Sequence, residues 1–273
     1  MDEELLAMTD DTIKKPRASR IIVKAPALVL TAAAFAVFGL GGLFFYILRP
    51  AFALALPTKR RRHLAARRVV VFWFSWFTKF IEAMGLVKVR VRNKEKLLRP
   101  GLVIVANHPT LIDVVCLLGI IPAASTVVKS SLLKNPFTRA PIRAAGYISN
   151  DAGPDALDSF REELEAGSSF LIFPEGTRTP MNLPPGTHPR IHRGVAALAI
   201  QTQKPLTPVR ITASPRWLTK EQGWWHLPDK PMELVFDVLE DIPSSGFEET
   251  FKSSPSKATR ALSKILLSKL FDN

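Results

Sequence analysis

Residues 102–113 read LVIVANHPTLID, a short apolar run that stops at an Asn-His pair and gives way to a second apolar stretch. A short, fully apolar segment is typical of a strand that is buried on both faces of a sheet. The residues after the turn have a helix-like pattern. The segment therefore predicts a strand-to-helix junction, which is where open α/β sheets place functional groups.

Strands and helices are predicted to alternate around this junction. Val87, Val89 and Val91 alternate with basic residues, as in a half-exposed strand. Gly167 stands where a helix C-cap glycine belongs. Further strands are predicted at residues 169–173, 206–212 and 232–238, and helices at residues 154–166, 194–202 and 256–270. The predicted fold class is α/β, a mixed sheet flanked by helices that covers residues 87–273.

A long uncharged run precedes this domain and follows a polar segment, residues 1–24. Residues 25–48 contain no charged side chain, and a helix of this length rises roughly 36 Å, more than the hydrocarbon core of about 30 Å. We expect an N-terminal membrane helix, because a cleaved signal peptide is shorter and starts earlier. Gly39, Gly41 and Gly42 would also allow a kinked, re-entrant hairpin. A buried core helix is the remaining alternative.

Residues 69–86 predict an interfacial helix that packs on the first one. Its aromatic side chains are Phe72, Trp73, Phe74, Trp76, Phe77 and Phe80. The basic residues at 59–62, with Arg67 and Arg68, would lie beside anionic lipid headgroups. We therefore interpret residues 25–86 as membrane-anchoring helices, with the domain facing the cytoplasm, at the inner membrane if the source is bacterial. The terminal helix at residues 256–270 is expected to cap the domain rather than to lie on the membrane.

The composition indicates a globular protein with an anionic partner. Hydrophobic residues make up 47% and charged residues 22%, which excludes a disordered chain. The net charge of +13 requires lipid, nucleic acid or a phosphorylated substrate. The position of basic residues beside the apolar run favours an anionic membrane surface over nucleic acid. Cys116 is the only cysteine, which excludes an internal disulfide, and its apolar neighbours predict a buried thiol.

The turn after the first quoted strand carries a candidate catalytic pair. His108 on the turn and Asp113 in the first helical turn can meet, so that the carboxylate would accept the Nδ1 proton. Nε2 would then remove a proton from a substrate hydroxyl. The same spacing occurs in surface and capping pairs, and the pair alone leaves both interpretations open.

A second cluster follows the strand predicted at residues 169–173. Residues 173–178 read FPEGTR and place a carboxylate, a glycine and a guanidinium close together. Such a strand end suits phosphate capture, because arginine binds phosphate oxygens through a two-pronged fork. A solvated charged turn is the alternative for this hexapeptide taken alone.

The two motifs, Asn-His-x4-Asp and then Phe-Pro-Glu-Gly-Thr-Arg, together resemble those of the 1-acylglycerol-3-phosphate (lysophospholipid) acyltransferase family. The resemblance covers residues 87–212 and includes the later motif PLTPV at residues 205–209. It implies transfer of a fatty acyl group from acyl carrier protein or coenzyme A to the hydroxyl of a lysophospholipid. His108 would be the general base and Asp113 would orient it. The resemblance implies neither a metal nor another cofactor.

The resemblance also implies a binding site for the acceptor lipid. The phosphate-bearing end would contact Glu175, Gly176, Thr177 and Arg178, with Lys129 as a second phosphate contact.

One motif departs from the family pattern. The family usually has a glycine, two or three apolar residues and an arginine, whereas Gly146-Tyr147-Ile148-Ser149 is followed here by an asparagine. A cationic phosphate ligand is therefore missing. Either Lys129 or Arg143 replaces it, or the acceptor is another lysolipid, a glycolipid or a different hydroxyl-bearing lipid.

Two further classes remain as alternatives. His188 and His192, with His108 and Asp113, would suit a metallohydrolase, but Pro189 disfavours a helix that carries both histidines as ligands. Loop histidines beside the path of the substrate are the expected interpretation. A membrane scaffold that binds lipid without catalysis is the other alternative.

Overall fold

The computed structural model describes residues 17–152, 155–184 and 186–272. In chain order the elements are α1 (Arg17–Ala55), α2 (Lys59–Ala83), β1 (Val87–Arg92), β2 (Val103–Ala106), α3 (Asp113–Leu118), β3 (Ser125–Val128), α4 (Pro136–Ala145), β4 (Ile148–Ser149), α5 (Asp155–Glu165), β5 (Phe170–Ile172), α6 (Gly194–Thr202), β6 (Leu206–Ser214), β7 (Met232–Val238), α7 (Glu248–Ser253) and α8 (Pro255–Phe271). Most of the predicted polar segment, residues 1–16, lies outside the described residues.

The strands form one mixed sheet in the order β1-β7-β6-β2-β5-β3-β4. The contact between β6 and β7 is antiparallel, and the other neighbours are parallel. Strand β2 lies at the centre and is buried along its whole length. The predicted α/β class with a mixed sheet is confirmed.

Helices cover both faces of the sheet, as the alternation along β2 shows. Val103 and Val105 pack with α5, α6 and α8 on one face, and Ile104 packs with α2 and α3 on the other. Leu262 and Leu266 of α8 are fully buried in the first of these layers, so α8 caps the domain as predicted. Cys116 of α3 is buried in the second layer, also as predicted.

Helix α1 runs through its glycines without a break, which corrects the kinked alternative. A Cβ on Gly41 would lie 2.1 Å from the Trp73 ring of α2, and one on Gly42 would lie 1.8 Å from the Phe137 carbonyl oxygen of α4. Two glycines of α1 therefore allow close packing against neighbouring helices. Phe38 adds to the contact with α2, because its ring centroid lies 5.2 Å from that of Phe77.

One side of α1 packs on the protein and the other carries exposed apolar side chains. Thr31, Ala34 and Phe45 are buried, whereas Leu40 and Ile47 are exposed. Lys24–Ala55 is long and apolar enough to cross a membrane. A helix with this exposed apolar surface, near the N-terminus of the chain, indicates association with a membrane.

Arg67 of α2 forms an interior link between the N-terminal helices and the domain. Its side chain is 1% exposed, and it donates to the Ala145 carbonyl and, through a two-pronged contact, to Glu163 of α5. Burial would raise the pKa of Glu163, but the hydrogen bonds and positive charge of Arg67 lower it overall. The expectation that Arg67 faces lipid headgroups is therefore wrong, while Arg68 is exposed.

Candidate active site

The two polar motifs meet because their strands are parallel neighbours. Val105 of β2 is in register with Ile172 of β5, so the loops that follow these strands leave the same edge of the sheet. The first loop carries His108 and the second carries Glu175. The sheet thus brings together two segments that are far apart in the sequence.

His108 and Asp113 form a hydrogen-bonded pair. The imidazole Nδ1 lies 3.0 Å from Oδ2 of Asp113, whose side chain is fully buried, while the His108 side chain is 18% exposed. Thr110 donates to the same carboxylate from its N–H at 2.7 Å and from its hydroxyl at 2.5 Å. An ionised carboxylate only accepts hydrogen bonds, so this contact suits a neutral imidazole that donates from Nδ1 and keeps its lone pair on Nε2.

Glu175 lies behind His108 and holds its main chain. Oε1 accepts from the N–H of His108 at 3.0 Å and from the hydroxyl of Thr179 at 2.8 Å. Glu175 is buried, and among the described residues its Oε2 has no hydrogen-bond partner. Burial raises the pKa of Glu175, and the hydrogen bonds from Thr179 and His108 oppose that rise. Glu175 thus supports the loop instead of projecting into the open site.

Thr179 and His108 donate hydrogen bonds to each other and so link the two loops. Its N–H donates to the carbonyl of His108 at 2.7 Å, and the His108 N–H also reaches the Thr179 hydroxyl at 3.1 Å. Thr179 was not predicted from the sequence as a site residue. The only local signal was a small polar side chain directly after the Phe-Pro-Glu-Gly-Thr-Arg motif.

Arg178 joins a third segment to the site. One terminal nitrogen of its guanidinium donates to the carbonyls of Leu218 and Thr219, at 2.9 and 2.7 Å. The Leu218 carbonyl also accepts from the N–H of Leu111 at 3.0 Å. Arg178 therefore positions a loop around the site in addition to any contact with a ligand. The sequence analysis did not identify residues 218–219 as part of the site.

The other predicted binding residues lie at the surface of the same edge. Gly176 and Thr177 are exposed, and the φ of 64° at Gly176 is a left-handed conformation that favours glycine. Lys129 is exposed and directly follows β3, the neighbour of β5 in the sheet. The carboxyl edge of the sheet that carries the His-Asp pair thus also presents a glycine turn and a basic side chain.

The metallohydrolase alternative also involved His188 and His192, and these two histidines lie in different places. A Cβ on Gly176 would lie 3.0 Å from Nε2 of His192, so His192 adjoins the motif loop. His188 instead contacts Asp272 at 2.6 Å. No group of three or more His, Cys, Asp or Glu side chains in residues 17–152, 155–184 and 186–272 is arranged to hold a metal ion.

An apolar cavity of about 500 Å³ adjoins these loops. Leu111, Ile112 and Leu218 from the site loops form part of its wall, and α1, α2 and α4 form much of the remainder. Cavities of this size and character bind hydrophobic small molecules. The chain is therefore an α/β protein whose sheet edge places a hydrogen-bonded His-Asp pair beside a hydrophobic cavity.

Comparisons with known proteins agree with this class. Residues 88–212 match the family model described as Acyltransferase. The chain is 28% identical to a 1-acyl-sn-glycerol-3-phosphate acyltransferase of Pseudomonas aeruginosa over 74% of each chain. It is 31% identical to the enzyme of that name from Bacillus subtilis, over 44% of this chain and 60% of that enzyme.

A solved structure shows the same fold. The crystal structure of the 1-acyl-sn-glycerophosphate acyltransferase PlsC of Thermotoga maritima superposes with a TM-score of 0.64 at 23% identity, over 89% of this chain and 97% of that one. The match over residues 88–212 and the two curated relatives support membership of the 1-acyl-sn-glycerol-3-phosphate acyltransferase family and a role in lipid biosynthesis, and they identify the chain as an acyltransferase.

Proposed function

We propose that this acyltransferase moves a fatty acyl group from an acyl thioester to the hydroxyl of a lysophospholipid such as 1-acylglycerol-3-phosphate. His108 acts as the general base and Asp113 orients it. The observation that carries the proposal is the 3.0 Å contact between His108 Nδ1 and the buried Asp113 carboxylate, beside a large apolar cavity. The names of both curated relatives support the choice of acceptor.

The reaction needs one proton acceptor and one acyl donor. Nε2 of His108 takes the proton of the acceptor hydroxyl as its oxygen attacks the thioester carbonyl carbon. The tetrahedral oxyanion then collapses, the C–S bond breaks, and the thiolate leaves with the proton from the imidazolium. The products are an ester and a free thiol, and His108 returns to its neutral form. The negative charge of Asp113 stabilises the imidazolium while it exists.

The cavity supplies the place for an apolar chain. Its walls come from α1 and α2, the helices we propose as the membrane anchor, so a lipid can reach the site from one leaflet. Main-chain N–H groups in the loop around Gly176 are candidates to stabilise the oxyanion, and each such donor is typically worth a few kcal/mol.

The phosphate end of the acceptor is assigned to groups at the same edge of the sheet as the pair. Arg178 keeps guanidinium nitrogens beyond the one that bonds the Leu218 and Thr219 carbonyls, and Lys129 adds a second charge. Gly176 and Thr177 provide main-chain and hydroxyl donors. The acceptor role first assigned to Glu175 is replaced by a positioning role, because its Oε1 already accepts from the N–H of His108.

The net charge supports the choice of acyl donor, and the position of the apolar helices supports the location of the enzyme at a membrane. Acyl carrier protein and coenzyme A are both anionic, and the net charge of +13 suits either. We assign residues 25–86 to the membrane anchor and residues 87–273 to the catalytic domain, on the cytoplasmic side. Residues 1–24 remain a polar N-terminal segment in this scheme.

A substrate panel tests the proposal. The full chain in membranes is given labelled lysophosphatidate, other lysophospholipids and a lysoglycolipid, each with acyl carrier protein and coenzyme A thioesters, and products are identified by mass spectrometry. Transfer to a lysophospholipid supports the proposal. Transfer only to another lipid would replace the acceptor, and no transfer in any arm would favour the scaffold alternative.

A further inference from the structure

A second pocket, of about 230 Å³, lies between α1 and α4. Its wall consists of Tyr46, Arg49, Pro50 and Ala53 of α1 and Arg139, Ala140 and Arg143 of α4. The α1 residues recur at helical spacing, so they share one face of that helix. None of these residues lines the larger apolar cavity, so the two pockets are separate.

All the charged residues that line this pocket are basic. Arg139 and Arg143 are four residues apart on α4, a spacing at which like charges repel and destabilise a helix. Arg49 contributes a third guanidinium from α1. Neither helix contains Asp or Glu, and in the described part of the chain none of these arginines has an ion pair or side-chain hydrogen bond. Three exposed, unpaired guanidinium groups around one pocket are an arrangement that an anion stabilises.

The position of the pocket indicates which anion it faces. Arg49 lies near the end of α1, and Phe44, Ile47 and Leu54 on the same part of the helix expose large apolar surfaces, of 53%, 67% and 90%. Apolar side chains immersed in the lipid tails and arginines at the headgroup level are the usual arrangement at a membrane surface. A headgroup would therefore lie against the arginines while its chains follow the exposed face of α1.

We propose that Arg49, Arg139 and Arg143 form a binding site for the phosphate of an anionic membrane phospholipid, separate from the active site. The lipid bound there is a structural ligand and is not acylated. The site fixes the position of α1 and α4 relative to the membrane surface. It requires a phosphate with attached acyl chains, which distinguishes it from a site for free phosphate or for the phosphates of coenzyme A.

Binding to the full chain in neutral detergent tests this site. The ligands are short-chain phosphatidylglycerol, which is anionic and is neither the acceptor nor the product of the proposed reaction, phosphatidylcholine of the same chain length and inorganic phosphate, and the readout is calorimetry. We expect saturable binding of phosphatidylglycerol, with phosphatidylcholine and inorganic phosphate each at least about 10-fold weaker, which is a factor worth roughly 1.4 kcal/mol. Equal affinity for phosphatidylcholine would overturn the role of charge, and equal affinity for inorganic phosphate would overturn the role of the lipid.

Two triple variants test whether binding depends on these three arginines or only on the overall positive charge of the protein. Replacing Arg49, Arg139 and Arg143 with glutamine should weaken phosphatidylglycerol binding roughly 100-fold, at about one fivefold step per basic residue. The matched control replaces three exposed basic residues of α8, on the other face of the sheet. These residues are Lys257, Arg260 and Lys264. The control should keep its affinity within about threefold, and equal losses in the two triple variants would contradict the proposal.

A single variant covers the case in which the triple variant does not fold. Arg143→Gln removes one exposed charge and should weaken phosphatidylglycerol binding about fivefold. Its thermal midpoint without lipid should equal that of the unsubstituted protein. Unchanged affinity in Arg143→Gln and in the corresponding variants of Arg49 and Arg139 would reject the site.

Discussion

The main-chain N–H of His108 donates to Oε1 of Glu175 at 3.0 Å, so a buried carboxylate of one loop fixes the histidine of the other. Glu175→Gln keeps a carbonyl oxygen at this place, whereas Glu175→Ala removes the acceptor from a buried setting. In Glu175→Ala the His108 N–H keeps only the Thr179 hydroxyl, and that buried hydroxyl loses the carboxylate to which it donates. Leaving a buried donor without its acceptor costs about 1–3 kcal/mol. We expect kcat to fall roughly 10-fold to 100-fold in Glu175→Ala and less than about fivefold in Glu175→Gln.

Steady-state kinetics at saturating acceptor measure this difference. Equal activity in Glu175→Ala and the unsubstituted enzyme would show that the hydrogen bond does not position His108. A rise in KM without loss of kcat would instead return Glu175 to the acceptor-binding role.

The raised pKa of Glu175 also predicts how stability depends on pH. The folded protein holds this proton more tightly than the unfolded chain, whose carboxyl group has a pKa of 4.5. The contribution to the free energy of unfolding is therefore complete below pH 4.5 and is lost as the pH rises through the folded-state value. Glu175→Gln stays neutral, so its stability should decline less over this range. Denaturant titrations at several pH values test this, and identical slopes would contradict it.

The ion pair between Arg67 and Glu163 should make a large contribution to stability. Arg67→Ala leaves Glu163 without its buried partner, and we expect a loss of about 3 kcal/mol in the free energy of unfolding, the low end for a broken buried pair. Arg68→Ala, an exposed neighbour, is the matched control and should change it by less than about 0.5 kcal/mol. Chemical denaturation measures both, and similar values for the two variants would contradict the role of burial.

The contribution of the Arg67–Glu163 ion pair to the free energy of unfolding also depends on pH. The pKa of Glu163 is lowered in the folded protein, so its contribution is present above pH 4.5 and is lost as the pH falls through the folded-state value. Arg67→Ala should therefore lose less stability than the unsubstituted protein on acidification.

The close packing of α1 against α4 predicts a strong effect at Gly42. A Cβ there would lie 1.8 Å from the carbonyl oxygen of Phe137, which is main chain and cannot rotate away. Gly42→Ala should cost about 1–3 kcal/mol through overpacking. Gly194→Ala on α6 is the control, because no atom lies within 4 Å of its added Cβ. Thermal unfolding should show a lower midpoint only for Gly42→Ala, and a similar midpoint for both would contradict this packing.

Local patterns predicted much of the fold. The expected helix at residues 194–202 and strand at residues 232–238 have the observed bounds Gly194–Thr202 and Met232–Val238. Both segments are bounded by polar or turn-forming residues and show a clear apolar pattern, so sequence alone was sufficient. Helix α4 was not predicted, because Pro136 and Pro141 disfavour a helix. Pro136 occupies the first turn, where the missing N–H costs nothing, and Asn135 caps the helix by accepting from the Phe137 N–H.

The sequence predicted part of the candidate site. The five-residue spacing of His108 and Asp113 was enough to suggest their contact, because the turn that carries His108 leads directly into the helix that begins at Asp113. It could not predict that Arg178 bonds to Leu218 and Thr219, which are 40 and 41 residues away. The burial of Arg67 was missed for the same reason, since its partner Glu163 is distant in the chain. Such contacts depend on the arrangement of the whole sheet and not on local pattern.

The most direct measurement of the proposed mechanism is the turnover of His108→Ala. Removing a general base typically lowers kcat by 10²–10⁴-fold. We expect a loss of about this size with lysophosphatidate and acyl thioester, with an unchanged thermal midpoint. His226→Ala replaces an exposed histidine outside the site and should keep full activity. If purified His108→Ala transfers the acyl group as fast as the unsubstituted enzyme, the assignment of His108 as the base is wrong.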